Sequence, residues 1–241
     1  MQLKGKSVFI TGGTGGIGRP LVALLQKAGA HVSIYLRPPG GSLSSELDRV
    51  CADLAAKTPD ILINLAGYNA FARCEEQDCE EIIALNLVAP IRLTQAVLPA
   101  MRARHHGQIV TVGSMTALIP LPHLTCYVAA KAGLKAFADS LRREVQGSGI
   151  VVTHVTPRAV DTGANKGLKA ELNARTRVAH DAPEDIARRI LRAIVDDARD
   201  VRIGWPERFF AILNSLFPSL IDRALRKNRD IGEDILASAN R

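Results

Sequence analysis

Apolar positions in this chain fall into two kinds of pattern. Short, nearly continuous runs rich in Val and Ile occur at SVFIT (7–11), HVSIYL (31–36), DILINL (60–65), GQIVTVG (107–113), GIVVTHV (149–155) and DVRIGW (200–205). Such runs predict strands covered on both faces. Between them apolar residues recur every three or four positions, which predicts helices over 17–28, 45–57, roughly 75–104, 127–146 and 183–197. The last carries a start signal, with Asp181 as the expected N-cap, Pro183 in the first turn and Glu184 three residues after the cap. Strand and helix alternate without internal repeats or low-complexity segments. That order predicts one α/β domain, a doubly wound parallel sheet with helices on both faces.

Composition narrows the class without changing the fold. Of 241 residues, 47% are hydrophobic and 23% charged, enough apolar material for one sizeable core. The N-terminal MQLKGKSVFITGG runs straight into a strand pattern with no signal-sequence signature. No uninterrupted apolar window reaches the length a membrane span requires. The cysteines, at 51, 74, 79 and 126, lack CxxC spacing and read as reduced thiols of a cytoplasmic protein. His105 and His106 have no partner cluster, so no metal is expected. The formal net charge is +7, yet only 4% of residues are aromatic and none interleave with the basic ones. Nucleic acid is therefore not expected as a partner, and a phosphorylated cofactor or an acidic partner suits the charge better.

Two motifs carry chemistry. Directly after the first strand comes TGGTGGIGRP, residues 11–20, a glycine-rich turn that opens a helix. Glycines there let backbone amides approach a pyrophosphate, and the helix N-terminus favours its charge. Well downstream, LTCYVAAKAG places Tyr127 and Lys131 four residues apart, on one face of a helix. Alone, that pair reads better as a solvated surface pair, because such pairs are common by chance.

The two motifs in this order resemble the short-chain dehydrogenase/reductases, and further matches follow in sequence. Gly12, Gly16 and Gly18 fill the TGxxxGxG pattern, and INLAG supplies Asn64, Ala66 and Gly67 of an NNAG-like motif, with Leu65 in place of its second Asn. Asn86 stands at the family's helix asparagine, and Ser114 precedes Tyr127 by thirteen residues. TPRAVDT resembles the PGxVxT segment, with Pro157 and Thr162 kept and Arg158 in place of the glycine. The resemblance spans residues 5 to about 205 and implies a Rossmann-type NADP-binding catalytic domain over 1–205, with a lid at about 163–181. Residues 206–241 then form a C-terminal amphipathic helical extension of the same domain.

The resemblance implies roles for four residues. Tyr127 would be the acid/base for a carbonyl oxygen, and Ser114 would hold that oxygen by a hydrogen bond. Lys131 would lower the tyrosine pKa and bind the nicotinamide ribose, and Asn86 would hold a relay water. The dinucleotide would lie against Gly12, Thr14, Gly15, Gly16, Ile17, Gly18, Asn64, Ala66, Gly67, Tyr127, Lys131, Pro157 and Thr162. Leu36 replaces the acidic residue of NAD-type members and Arg37 follows it, so NADP(H) is favoured over NAD(H).

One stretch departs from the family. Only 26 residues separate Arg37 from Asn64, with one helix pattern and no further strand, so one βα unit is missing. Six strands in the order 2-1-3-4-5-6 are expected. The family's adenine-binding Asp follows the strand of that unit, and Asp53, from within the helix pattern, is the candidate to replace it. The lid carries Lys166, Lys169, Arg175 and Arg177, which suit cofactor phosphates, a phosphopantetheine carrier or solvent. Beyond Trp205, Phe209, Ile212, Leu213, Leu216, Phe217 and Leu220 recur at helical spacing before Arg223, Arg226, Lys227 and Arg229. This face is expected to cover the cleft, meet a neighbouring subunit or make peripheral membrane contact. The sequence thus reads as a cytoplasmic, NADP(H)-dependent oxidoreductase that interconverts an apolar ketone and a secondary alcohol, as a homodimer or homotetramer. A catalytically silent NADP-binding sensor and a membrane-surface interaction protein are the alternatives.

Overall fold

The apolar runs pair as a six-stranded parallel sheet in the order β2-β1-β3-β4-β5-β6, the expected order. The computed structural model describes residues 2–37, 42–162, 167–176 and 178–239. The strands are β1 (Ser7–Thr11), β2 (His31–Ile34), β3 (Ile61–Asn64), β4 (Gly107–Val112), β5 (Ile150–Thr156) and β6 (Asp200–Arg202). Central β3 and β4 are buried throughout, as continuous apolar runs require.

Helices cover both faces. On one, α1 (Gly18–Lys27) and α7 (Pro183–Val195) pack Leu21, Leu25, Ile186 and Ile190 against Ile10, Ile63 and Val110. On the other lie α2 (Leu47–Ala56), α4 (Ala89–Ala103) and α5 (Thr125–Glu144). There Leu47, Val50 and Leu54 of α2 share a core with Leu93 and Val97 of α4. The chain between β2 and β3 therefore covers this face with one helix, and its described residues add no strand.

Three expectations need correction. The helix expected over 75–104 is interrupted: a 3-10 turn at Cys74–Glu76 precedes α3 (Cys79–Ile83), and a π-helical turn at Ala84–Val88 joins α3 to α4. At that turn Asn86 Nδ2 donates to the Ile82 carbonyl, 2.9 Å away, taking an acceptor of the helical ladder. Secondly, Cys79–Ala103 is long and apolar enough by length and composition to cross a membrane. In this fold it is a core element, with Ile82, Leu93, Val97 and Met101 buried. Thirdly, α7 is capped at Ala182 rather than Asp181. Asp181 instead accepts two bonds from Arg158, at 2.9 and 2.7 Å, because a forked charge-assisted pair outweighs a single amide cap.

The C-terminal part forms α6 (Leu168–Thr176), α8 (Trp205–Leu216) and α9 (Pro218–Ala239). The far half of α9 is clamped to the body by Arg73–Glu233 (2.8 Å) and Arg175–Asp234 (2.7 Å). Of the other lid cations, Lys166, Arg177 and the Lys169 side chain lie outside the described residues.

Candidate active site

The glycine turn after β1 packs against the turn after β3. Gly12 has φ +73°, and a Cβ there would lie 2.8 Å from the Ala66 amide nitrogen, so only glycine permits this approach. Thr11 Oγ1 stitches the same turns by accepting from the Leu65 and Ala66 amides at 3.3 and 3.2 Å. A Cβ on Gly16 would strike Thr162, which places Thr162 over the turn. Gly15 closes the loop through its amide to the Gly12 carbonyl (3.0 Å), and the Thr14 carbonyl accepts from Arg19 Nε (2.9 Å).

This cradle fits a dinucleotide. The N-terminus of α1, at Ile17 and Gly18, has no side-chain cap and no carboxylate in its first turn, so its positive end is left for an anion. Asn64 is buried, and neither its Nδ2 nor its Oδ1 has a partner among the described residues. A buried orphaned amide beside such a turn is what a bound polar ligand would satisfy.

Beyond β2, Leu36 and Arg37 are exposed, and Arg37 makes no ion pair among the described residues. Asp53, within α2, is exposed and pairs with Arg49 at 3.2 Å. Sequence reasoning missed the group that does stand near this edge: Tyr35 Oη donates to Glu46 (3.4 Å), and Glu46 also pairs with Arg49.

The four polar residues of the second motif converge. Ser114 leaves β4 in extended geometry, and its Oγ accepts from the Thr116 amide (3.2 Å) and Thr116 Oγ1 (2.9 Å). Pro157 steadies this loop by accepting from the Met115 amide at 2.9 Å. The Ser114 hydroxyl stands close enough to the Tyr127 hydroxyl to favour its phenolate. Lys131 is 4% exposed; its Nζ donates to the Val112 carbonyl at 3.0 Å and stands 5.7 Å from the Tyr127 ring centroid. Asn86, held by its Nδ2 bond to the Tyr68 carbonyl (2.7 Å), keeps an unpartnered Oδ1 among the described residues. A Cβ on Gly67 would meet that Oδ1 at 2.9 Å and Lys131 Nζ at 3.4 Å, so both atoms face one small space.

Burial sets the protonation states. It pushes the Tyr127 phenol above its ordinary value, with the Ser114 hydroxyl acting the other way, and it lowers Lys131 to about 8. The expectation that Lys131 lowers the tyrosine is therefore corrected for the protein alone. Its ammonium is turned to the Val112 carbonyl, and desolvation of the phenolate outweighs it. Beneath the site, His154 bonds Thr111 Oγ1 through Nδ1 (2.8 Å), and burial holds it neutral at about 4. No sequence pattern marked that histidine, whereas the departure from glycine did mark Arg158.

Comparison with known proteins gives the same grouping. A model described as short chain dehydrogenase matches residues 42–173. The 3-oxoacyl-(acyl-carrier-protein) reductase FabG of Escherichia coli K12 is 33% identical over 200 residues, 72% of this chain and 81% of that protein. Dehydrogenase/reductase SDR family member 7B of Danio rerio is 26% identical over 97% of this chain and 89% of its own. A short chain dehydrogenase from Burkholderia cenocepacia, solved with NADP, superposes with a TM-score of 0.80 over 94% of this chain and 99% of its own, at 21% identity. A putative NAD(P)-dependent gluconate 5-dehydrogenase from Beutenbergia cavernae, with bound NADP, gives a TM-score of 0.75 at 25% identity, over 84% and 96% of the chains.

Proposed function

The chain belongs to the short-chain dehydrogenase/reductase family and is an oxidoreductase, and from that premise we propose that it reduces an apolar ketone to a secondary alcohol with NADPH. The observation that carries the reading is the convergence of Ser114 and Tyr127 beside buried Lys131 and Asn86, whose Nζ and Oδ1 face one space. Ser114 Oγ hydrogen-bonds the substrate carbonyl and holds the oxygen beside the phenol. Tyr127 gives that oxygen its proton, and burial, by keeping the phenol protonated, suits it as an acid in this direction. When bound, the reduced nicotinamide supplies the hydride. Lys131, with Asn86 Oδ1 facing the same space, returns a proton towards Tyr127.

Arg37 supports the choice of phosphorylated cofactor: it is exposed at the end of β2 with its fork unengaged among the described residues, and no carboxylate stands at Leu36. The relative from Beutenbergia cavernae holds NADP, which agrees with that choice. An apolar substrate is supported by the exposed aromatic face of α8, which adjoins the Ser114 loop through Asn214 Nδ2 donating to the Leu118 carbonyl at 3.0 Å. A cytoplasmic homodimer or homotetramer, joined through α4 and α5, completes the proposal, and the four free cysteines are in keeping with that compartment.

The test is Tyr127→Phe. NADPH binding, followed by nicotinamide fluorescence, should be kept, while turnover of a ketone panel should fall by at least about a thousandfold. Turnover near that of the parent protein would remove Tyr127 from the chemistry.

A further inference from the structure

A surface helix normally turns its apolar stripe inward. α8 does the reverse. Trp205, Phe209, Ile212 and Leu216, spaced to share one helical face, are 80, 57, 56 and 65% exposed. The inward side is anchored by other means: Ala211 is buried, Asn214 bonds the Leu118 carbonyl, and Glu207 pairs with Arg158 at 3.5 Å. These contacts fix the helix about its axis, so the stripe cannot roll inward without breaking them. Phe217 and Leu220, 59 and 49% exposed, carry the apolar surface around the turn into α9.

Cations continue it. Arg223 and Lys227 follow Leu220 at three and seven residues, which puts them on Leu220's face of α9, and Arg226 stands beside them. All three are exposed or half-exposed and make no ion pair among the described residues, whereas the far half of α9 is tied down by its carboxylates. Asp222 and Asp230 each stand four residues from Arg226, but Asp230 pairs with Arg229 and neither forms an ion pair with the three cations among the described residues.

We propose that the α8–α9 hairpin is a docking surface for an anionic lipid bilayer, lying in the interface with its aromatic stripe among the acyl chains and Arg223, Arg226 and Lys227 at the headgroups. Charge complementarity selects this occupant. A second copy would bring the same cations, on a chain already at +7, to a face where Arg223, Arg226, Lys227 and Arg229 outnumber Asp222 and Asp230. A bilayer takes the apolar stripe and the cations together, and tryptophan is favoured at that boundary. At twelve residues α8 is about 18 Å long, too short to span the hydrocarbon and suited to lying along it. The surface adjoins the Ser114 loop, so on the reductase reading it would take apolar substrate from the bilayer.

The chain's single tryptophan, Trp205, reports directly on this contact. The full chain is mixed with vesicles of phosphatidylcholine alone or of equimolar phosphatidylcholine and phosphatidylserine, and Trp205 emission and co-sedimentation are followed. A blue shift and pelleting with the anionic vesicles, reversed by salt, are expected, with roughly fivefold weaker partition for each of Arg223→Gln and Lys227→Gln. Phe209→Ser should also weaken partition while leaving NADPH binding, which the Gly12 and Gly16 turn would carry, unchanged. Unshifted emission with anionic vesicles, or equal binding to both compositions, overturns the proposal. So does emission already blue-shifted without lipid, in a dimer that Phe209→Ser dissociates, because a second copy would then hold the face. The ketone assay without vesicles is read separately, and its failure would bear on the reductase reading alone.

Discussion

Lys131 carries an ammonium in a place where water scarcely reaches, and burial lowers its pKa to about 8. The unfolded chain holds that proton to about 10.4, so between the two values the unfolded state binds more protons than the native one. Stability therefore rises with pH across the window, by at most about 1.4 kcal/mol per unit from this group, and the stabilisation is lost as pH falls back through 8. Lys131→Met removes the charge but keeps the length of the side chain. Its urea midpoint should exceed that of the parent protein at pH 7, the gap should narrow by pH 9, and turnover should be lost at both. A gap that stayed constant with pH would mean that the buried ammonium is not destabilising. The pair's spacing was legible in the sequence, since four residues on a helix fix a common face. The ammonium's partner was not, because the Val112 carbonyl reaches it only through packing of α5 on β4.

Where two elements meet, the decisive group is Arg158. It holds Asp181 in a forked pair and touches Glu207, joining the loop after β5, the start of α7 and the first turn of α8. These side chains are largely withdrawn from water, so Arg158→Ala leaves a half-buried carboxylate unpaired, at a cost of about 1–3 kcal/mol. We expect Tm to fall by several degrees and KM for the ketone to rise. Arg158→Lys should restore part of the Tm but less of the KM, since an ammonium cannot reproduce the fork. Equal effects of Ala and Lys would mean that the fork has no part in positioning. Elements themselves were largely readable: each strand run of Val and Ile became a strand, four of the six shorter than the run. The misreadings share one cause, a side chain bonding outside the local pattern. Asp181 left its cap for Arg158, and Asn86 opened the π turn.

Across the whole molecule, the shortened segment between β2 and β3 leaves β2 at the sheet edge, with Leu36 and Arg37 beyond it. The cradle, the orphaned Asn64 and the motif around Tyr127 are built from β1, β3, β4 and α5, none of which needs the missing unit. The adenosine end does depend on this edge, where Arg37 stands beside the Tyr35–Glu46–Arg49 group. A cofactor at a hundredfold excess over its Kd stabilises the native state by about 2.7 kcal/mol. For a domain of this size that corresponds to a rise in Tm of roughly 5–10 °C. NADPH should produce this rise at lower concentration than NADH, and Arg37→Asp should abolish or reverse the order while leaving the NADH response in place. Loss of both responses in Arg37→Asp would mean that the residue supports the edge rather than reads the 2′-phosphate. A parent protein whose Tm moves with neither cofactor would mean that the pyrophosphate cradle alone cannot hold a dinucleotide. The chemistry assigned to Tyr127 would then have no hydride source in this chain.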